Sequence, residues 1–143
     1  PPLPPPPPPR CMATLVVTPA TILPQWLQEL QQHSPRLAAR TLVYDGVGGA
    51  GGGAQGAAAA ARVLAAMDQA WLVLTTFKVL QAETWYEGVG AEEVPRGYAA
   101  RRPRHAKPQT PLLSRRFWRL VIDEAQAVQA RSATPTMLAA MAA

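Results

Sequence analysis

The segment FWRLVIDEAQAV, residues 117–128, sets two acids, Asp123 and Glu124, directly behind the apolar run Leu120-Val121-Ile122. Carboxylates at the end of a buried strand are costly to desolvate unless a cation, a donor or a reaction uses them. The pair suits hydrolysis of a nucleoside triphosphate. An aspartate at a strand end can hold magnesium, usually through its water shell, and the metal offsets charge that builds on the phosphates. A neighbouring carboxylate can orient or deprotonate the attacking water. Adjacent side chains of a strand point to opposite faces, so the second acid must sit where the strand breaks. The small Ala125 fits such a turn. The plainer alternative is a surface turn that caps the following helix.

Such acids need a scaffold, and the chain supplies alternating elements. Thr14-Leu15-Val16-Val17-Thr18 is β-branched and apolar with no polar alternation, as expected of a strand buried on both faces. Pro19 stops it, and Thr21 is placed to cap a helix running to about His33, with Ile22, Trp26, Leu27 and Leu30 at helical spacing. Thr41–Tyr44 and Trp71–Thr75 predict the second and third strands, and Trp118–Ile122 the fourth. The helical stretches between them are Arg62–Met67, led into by the alanine run 57–61, and Phe77 to about Thr84, with a last helix over 133–142. Alternation of this kind predicts an α/β fold, a parallel sheet with flanking helices and right-handed crossovers. Ligands of such sheets gather at the C-terminal strand ends. Thr18-Pro19, Thr75-Thr76 and Asp123-Glu124 would all meet on that edge.

The rest of the chain narrows the chemistry. Residues 1–12 read as a proline-rich linker in polyproline II conformation, and 13–143 as the folded lobe. The glycine- and alanine-rich segment 46–61 contains GVGGAGGGAQGA, yet it lacks the Gly-Lys-Ser/Thr of a phosphate loop, and no lysine occurs before Lys78. It reads as a flexible connection. Residues 85–116 form a long irregular insertion with four prolines. The net charge of +5 is uneven: residues 96–119 hold seven arginines and Lys107 with no acid, a net +8, which leaves −3 elsewhere. A basic stretch on a near-neutral body suits a polyanion, although a solvated arginine-rich loop would look the same. The single Cys11 excludes a disulfide framework and a multi-cysteine zinc site. His33 and His105 stand apart and read as solvated or helix-end residues. No apolar run reaches the ~20 residues of a membrane span. The chain opens without Met and closes on MLAAMAA, which reads as a fragment of something longer.

Three segments together resemble a known family. TLVVTPATILPQWLQEL is similar to the segment that follows the phosphate loop in Swi/Snf-type helicase-like ATPases of superfamily two. WLVLTTFKVLQAE resembles their next motif, and FWRLVIDEAQAV their Walker B segment. LVYDG, the insertion ending in TPLLSRRFWR, and DEAQ in place of DEGH or DEAH favour the SHPRH-type subgroup of nuclear ubiquitin ligases with a Snf-type motor. The resemblance spans about residues 13–132. It implies part of the first RecA-like lobe, of P-loop NTPase type, in a nuclear DNA translocase that uses ATP and Mg2+.

The same resemblance implies residue roles. Asp123 would position magnesium through water, Glu124 would activate the attacking water, and Gln126 would couple nucleotide state to DNA. Thr18, Pro19, Thr75 and Thr76 would lie along the DNA backbone. Gln25 and Trp26 also match the family pattern, with Trp26 as a core anchor. Arg101, Arg102 and Arg104, from the basic stretch, would contact phosphates. The partners implied are duplex DNA or chromatin, and ubiquitin-pathway proteins through other parts of the parent. Lys78 departs from the family pattern. The phosphate-loop lysine, the second lobe and any RING-type cysteine cluster are missing, so this chain alone is expected to be inactive in hydrolysis and ubiquitin transfer. The alternatives are a truncated, non-catalytic paralogue that binds DNA or protein, and a helicase of another branch of superfamily two.

Overall fold

In a computed structural model of the chain, residues 8–46, 54–87 and 110–126 are described. In chain order the elements are β1 (Arg10–Thr18), α1 (Leu23–His33), α2 (Pro35–Ala38), β2 (Thr41–Val43), α3 (Ala54–Gln69), β3 (Leu72–Thr76), α4 (Phe77–Glu87) and β4 (Arg116–Ile122). The strands form one sheet in the order β2-β3-β1-β4, and every pairing is parallel. β1 is central because its side chains can be buried on both faces. Leu15 and Val17 pack toward Met67 of α3 and Phe77 and Leu80 of α4. Val16 packs the other way, among Leu23, Trp26, Leu27 and Leu30 of α1. The chain moves from β1 out to β2 over one face, then returns to β3 and on to β4 over the other. Reversing both direction and face keeps every crossover of one hand. The α/β architecture expected from the alternating elements is therefore present, as a small partial lobe.

Element boundaries differ from expectation in instructive ways. β1 opens at Arg10 rather than Thr14, because Arg10 and Cys11 pair with Arg116 and Phe117 of β4. The Pro9 carbonyl also accepts the Arg116 amide at 3.0 Å, so the strand takes up the end of the stretch expected to be linker. The register shifts between Cys11 and Thr14, which lets the two strands pair both before and after it. Thr21 does not cap α1. The Pro19 carbonyl accepts the amides of both Ile22 and Leu23, so a backbone turn satisfies these donors and the cap position falls on Ile22. Pro24 sits in the first helical turn, where its missing N–H costs nothing. α3 begins at Ala54 and so takes in the last part of the glycine-rich segment. The proline tract 1–7, the basic residues 96–109 and the helix expected over 133–142 lie outside the described residues.

A bidentate ion pair ties the start of β4 to the body. Arg115 forms a bidentate pair with Asp68 near the end of α3, Nε to Oδ1 at 2.8 Å and the second nitrogen to Oδ2 at 3.0 Å. The Arg115 guanidinium holds the Asp68 carboxyl below its ordinary range. A depressed carboxyl stabilises the fold above its unfolded value and loses that contribution as pH falls through the folded value. The Asp68 contribution is therefore complete at neutral pH, begins to decline below about 3.8 and is lost as pH falls through the lowered folded value. Because Asp68 is exposed enough for water and salt to screen it, Asp68→Asn should cost under about 1 kcal/mol at pH 7. Urea titrations at pH 7 and pH 3 check this: the difference between the two proteins should shrink at the lower pH. On the same face of β1, the buried Cys11 thiol donates to the Met67 carbonyl at 3.3 Å, and burial pushes its pKa up, which makes it a packing residue.

Candidate functional site

All four strands run the same way, so Thr18, Val43, Thr76 and Ile122 end on one edge of the sheet. Pairing continues one bond beyond β4: the Asp123 amide donates to the Val17 carbonyl at 2.9 Å. That bond draws Asp123 against the end of β1. Its Oδ2 accepts the Thr18 hydroxyl at 3.2 Å and the Trp26 indole N–H at 2.8 Å. Three elements, β1, α1 and the end of β4, thus fix one carboxylate. Asp123 is half-buried, and Oδ1 accepts no hydrogen bond from any described residue. One oxygen is held while the other stays available, an arrangement suited to a carboxylate that meets a solvated cation. No group of three or more metal-ligating side chains occurs among the described residues. Magnesium does not require such a cage: it keeps several waters and is bound by one or two carboxylates plus substrate phosphates.

Glu124 is where the strand breaks. Its φ is 55°, in the left-handed region, and it is the one non-glycine residue with positive φ among those described. A non-glycine residue there costs about 1–2 kcal/mol. The reversal turns Glu124 off the sheet into solvent beside Asp123. The break expected from the residue pattern is therefore made by Glu124 itself rather than by Ala125. Gln126, also exposed, donates its side-chain amide to the Glu124 carboxylate. The three polar residues of DEAQ share one turn, with Asp123 anchored inward and Glu124 and Gln126 facing out.

The hydroxyl-bearing strand ends divide into two kinds. Thr18 and Thr75 are fully buried, and their hydroxyls are used internally: Thr18 on Asp123, and Thr75 on the Tyr44 carbonyl at 2.8 Å. Direct contact with a DNA phosphate does not fit that burial, so these two residues hold the edge together instead. Pro19 and Thr76 keep exposed surface, and the Thr76 hydroxyl accepts the Val79 amide at 3.4 Å at the start of α4. Arg101, Arg102 and Arg104 lie outside the described residues.

Trp26 does more than the core anchor expected of it, because its indole N–H also orients Asp123. Its position one turn into the helix after β1 carries that signal: a half-buried indole needs an acceptor, and the strand-end carboxylate is near. Trp26→Phe keeps the apolar body and removes the donor. It should cost about 1.5–3 kcal/mol, the worth of a hydrogen bond to a charged group. A double-mutant cycle with Asp123→Ala measures this, since strict additivity of the two losses would mean the bond contributes nothing.

Comparison with known proteins places the chain in a family. The SNF2-related domain family matches residues 7–142. Among curated proteins, the E3 ubiquitin-protein ligase SHPRH of mouse is 32% identical over 129 residues, which covers 90% of this chain and 7% of that protein. The human protein of the same name matches at the same identity and coverage. The chain thus spans a small part of the relatives it matches. No solved structure matches it significantly. With a family match over almost its whole length and a parallel sheet whose edge holds the DEAQ turn, the chain belongs to the SNF2-related domain family.

Proposed function

We propose that this chain is a partial ATPase lobe of an ATP-dependent DNA translocase, and that the DEAQ turn is its contribution to the nucleotide site. The observation that carries the reading is Asp123 itself. It is held at the end of β4 through one oxygen by Thr18 and Trp26, and its second oxygen is left available. Magnesium bound with ATP would neutralise phosphate charge there, and Asp123 would hold it through water. Glu124, turned out by its positive φ, would orient the attacking water, and its contact with Gln126 would link that water to nucleotide state. Pro19 and Thr76, the exposed strand-end residues, would lie nearest the DNA backbone. A nuclear site of action and ubiquitin-pathway partners would belong to the longer protein, in line with the ligase name of both relatives.

A longer form of the protein that includes a Gly-Lys-Ser/Thr loop tests the reading. Its ATP turnover should rise on addition of duplex DNA, and turnover indifferent to DNA would overturn the translocase assignment. The basic stretch makes a separate prediction. If Arg101, Arg102 and Arg104 each neutralise one phosphate, replacing all three by glutamine should lower the slope of log affinity against log salt by about 2.7. Unchanged affinity and slope would remove these residues from the DNA contact.

A further inference from the structure

The opposite edge of the sheet, where the strands begin, carries a second constellation. Trp71 stands immediately before β3 and is 46% exposed. The Arg36 guanidinium lies 5.4 Å from the centre of its ring and that of Arg40 lies 5.7 Å away. Both arginines are exposed, and among the described residues neither has a carboxylate partner. Each stacking is attractive by itself, since the ring face is electron-rich. Two like charges gathered on one indole nevertheless repel each other, and an anion between them would convert that repulsion into attraction.

The support is stiff. The Arg40 carbonyl accepts the amides of Trp71 at 2.9 Å and Leu72 at 3.4 Å, which locks the turn before β2 to the start of β3. Ala38, Ala39 and Arg40 donate their amides back into α2 and the residue before it, and the Thr41 hydroxyl closes the end on the Leu37 carbonyl at 2.8 Å. Stacked guanidinium groups on such a base are preorganised, and their N–H edges remain free for bidentate bonds to planar anions.

From this we infer that Arg36, Arg40 and Trp71 form a docking surface for an acidic peptide segment, one carboxylate to each guanidinium. Three features favour carboxylates on a peptide over a nucleic acid. The guanidinium groups occupy the indole that a base would need for stacking. The surface is a compact pair of charges, whereas a nucleic-acid backbone is tracked by many. It also lies on the edge away from Asp123, so its occupancy does not compete with the strand-end site.

Fluorescence anisotropy on the whole chain decides the matter, with a labelled peptide of glutamate and serine as probe and its glutamine counterpart as control. The glutamate peptide should bind saturably and the glutamine peptide should not. Arg36→Gln with Arg40→Gln should weaken binding by about tenfold or more, whereas neutralising Arg101, Arg102 and Arg104 should leave it in place. The charge-reversed pair Arg36→Glu and Arg40→Glu should exchange preference toward a lysine and serine peptide. Peptide binding should also shift tryptophan emission in the parent chain and not in Trp71→Phe. No saturable binding by the parent chain, or equal binding by the double glutamine variant, overturns the inference. So does an oligonucleotide of equal charge that binds more tightly through the same two arginines, which would assign the surface to nucleic acid.

Discussion

Glu124→Gln, made in a longer protein that carries the complete nucleotide site, is expected to lower DNA-stimulated ATP turnover by roughly 10²–10⁴-fold, the usual worth of a general base. Nucleotide affinity should be spared, because Asp123 and the phosphate loop would hold the metal and the phosphates. The substitution is nearly isosteric, and Glu124 is exposed in a turn, so the fold should not suffer. Loss of kcat with KM preserved is the signature of a group that acts in the transition state. The backbone supplies an internal control. Since Glu124 sits at φ 55°, Glu124→Gly should remove turnover as well, yet raise stability by about 0.5–1 kcal/mol through relief of the left-handed strain, less the entropy glycine adds to the unfolded chain. Turnover retained in Glu124→Gln would transfer the role of base to another residue. A loss of turnover matched by a loss of stability would mark Glu124 as a structural turn residue.

The second large effect lies away from the DEAQ turn, at Glu83. This acid is buried in α4, 4% exposed. It accepts the Tyr44 hydroxyl on Oε1 and the Leu112 amide on Oε2, the latter at 2.9 Å. One carboxylate thus joins the exit from β2, the middle of α4 and the turn that re-enters the sheet after the basic insertion. Tyr44 stays a donor at every ordinary pH, because burial first and the Glu83 carboxylate second push its phenol well above the usual range. Glu83→Ala would leave at least two buried groups without their acceptor. At about 1–3 kcal/mol each the loss is roughly 2–6 kcal/mol, a large share of the 5–15 kcal/mol that holds a typical domain together. Glu83→Gln keeps an acceptor and should lose less, and Tyr44→Phe less again. Urea denaturation orders the three variants. Equal losses for the alanine and glutamine variants would mean that the bonds do not carry the effect.

How much of this was legible in the residues differs from element to element. The strand cores were legible, because Leu15-Val16-Val17 and Leu72-Val73-Leu74 are apolar on both faces and demand cover on both. The β4 start was less so, since Trp118 and Arg119 are exposed and only the pairing with β1 extends the strand back to Arg116. Local pattern also gave no reason to lengthen β1 past the prolines, as its first residues are held by a partner more than a hundred positions away. The DEAQ acids stood out because charge behind an apolar run is costly. The contacts of Asp123 were hidden for the same reason as the Glu83 cluster: each is made by residues that only the crossovers bring together. One trace of Glu83 was present, however. It falls three and four positions after Leu80 and Val79, on the apolar face of its helix, where an acid needs a donor.

The central place of β1 also sets a timetable for synthesis. β1 is made before the other three described strands, yet among them it pairs with β3 and β4, and the bond between Thr18 and Asp123 spans 105 positions. At 5–20 residues per second, a ribosome needs roughly 5–20 s between these two residues. Through that interval Leu15, Val16 and Val17 have no completed sheet to enter, and a β-branched, uncharged run is prone to pair with whatever strand it meets. Long-range parallel pairing is slow to form even in a finished chain. Production of this lobe in cells should therefore depend on holdase chaperones that occupy β1 until β4 emerges, and slower translation across residues 18–116 should lower the soluble yield.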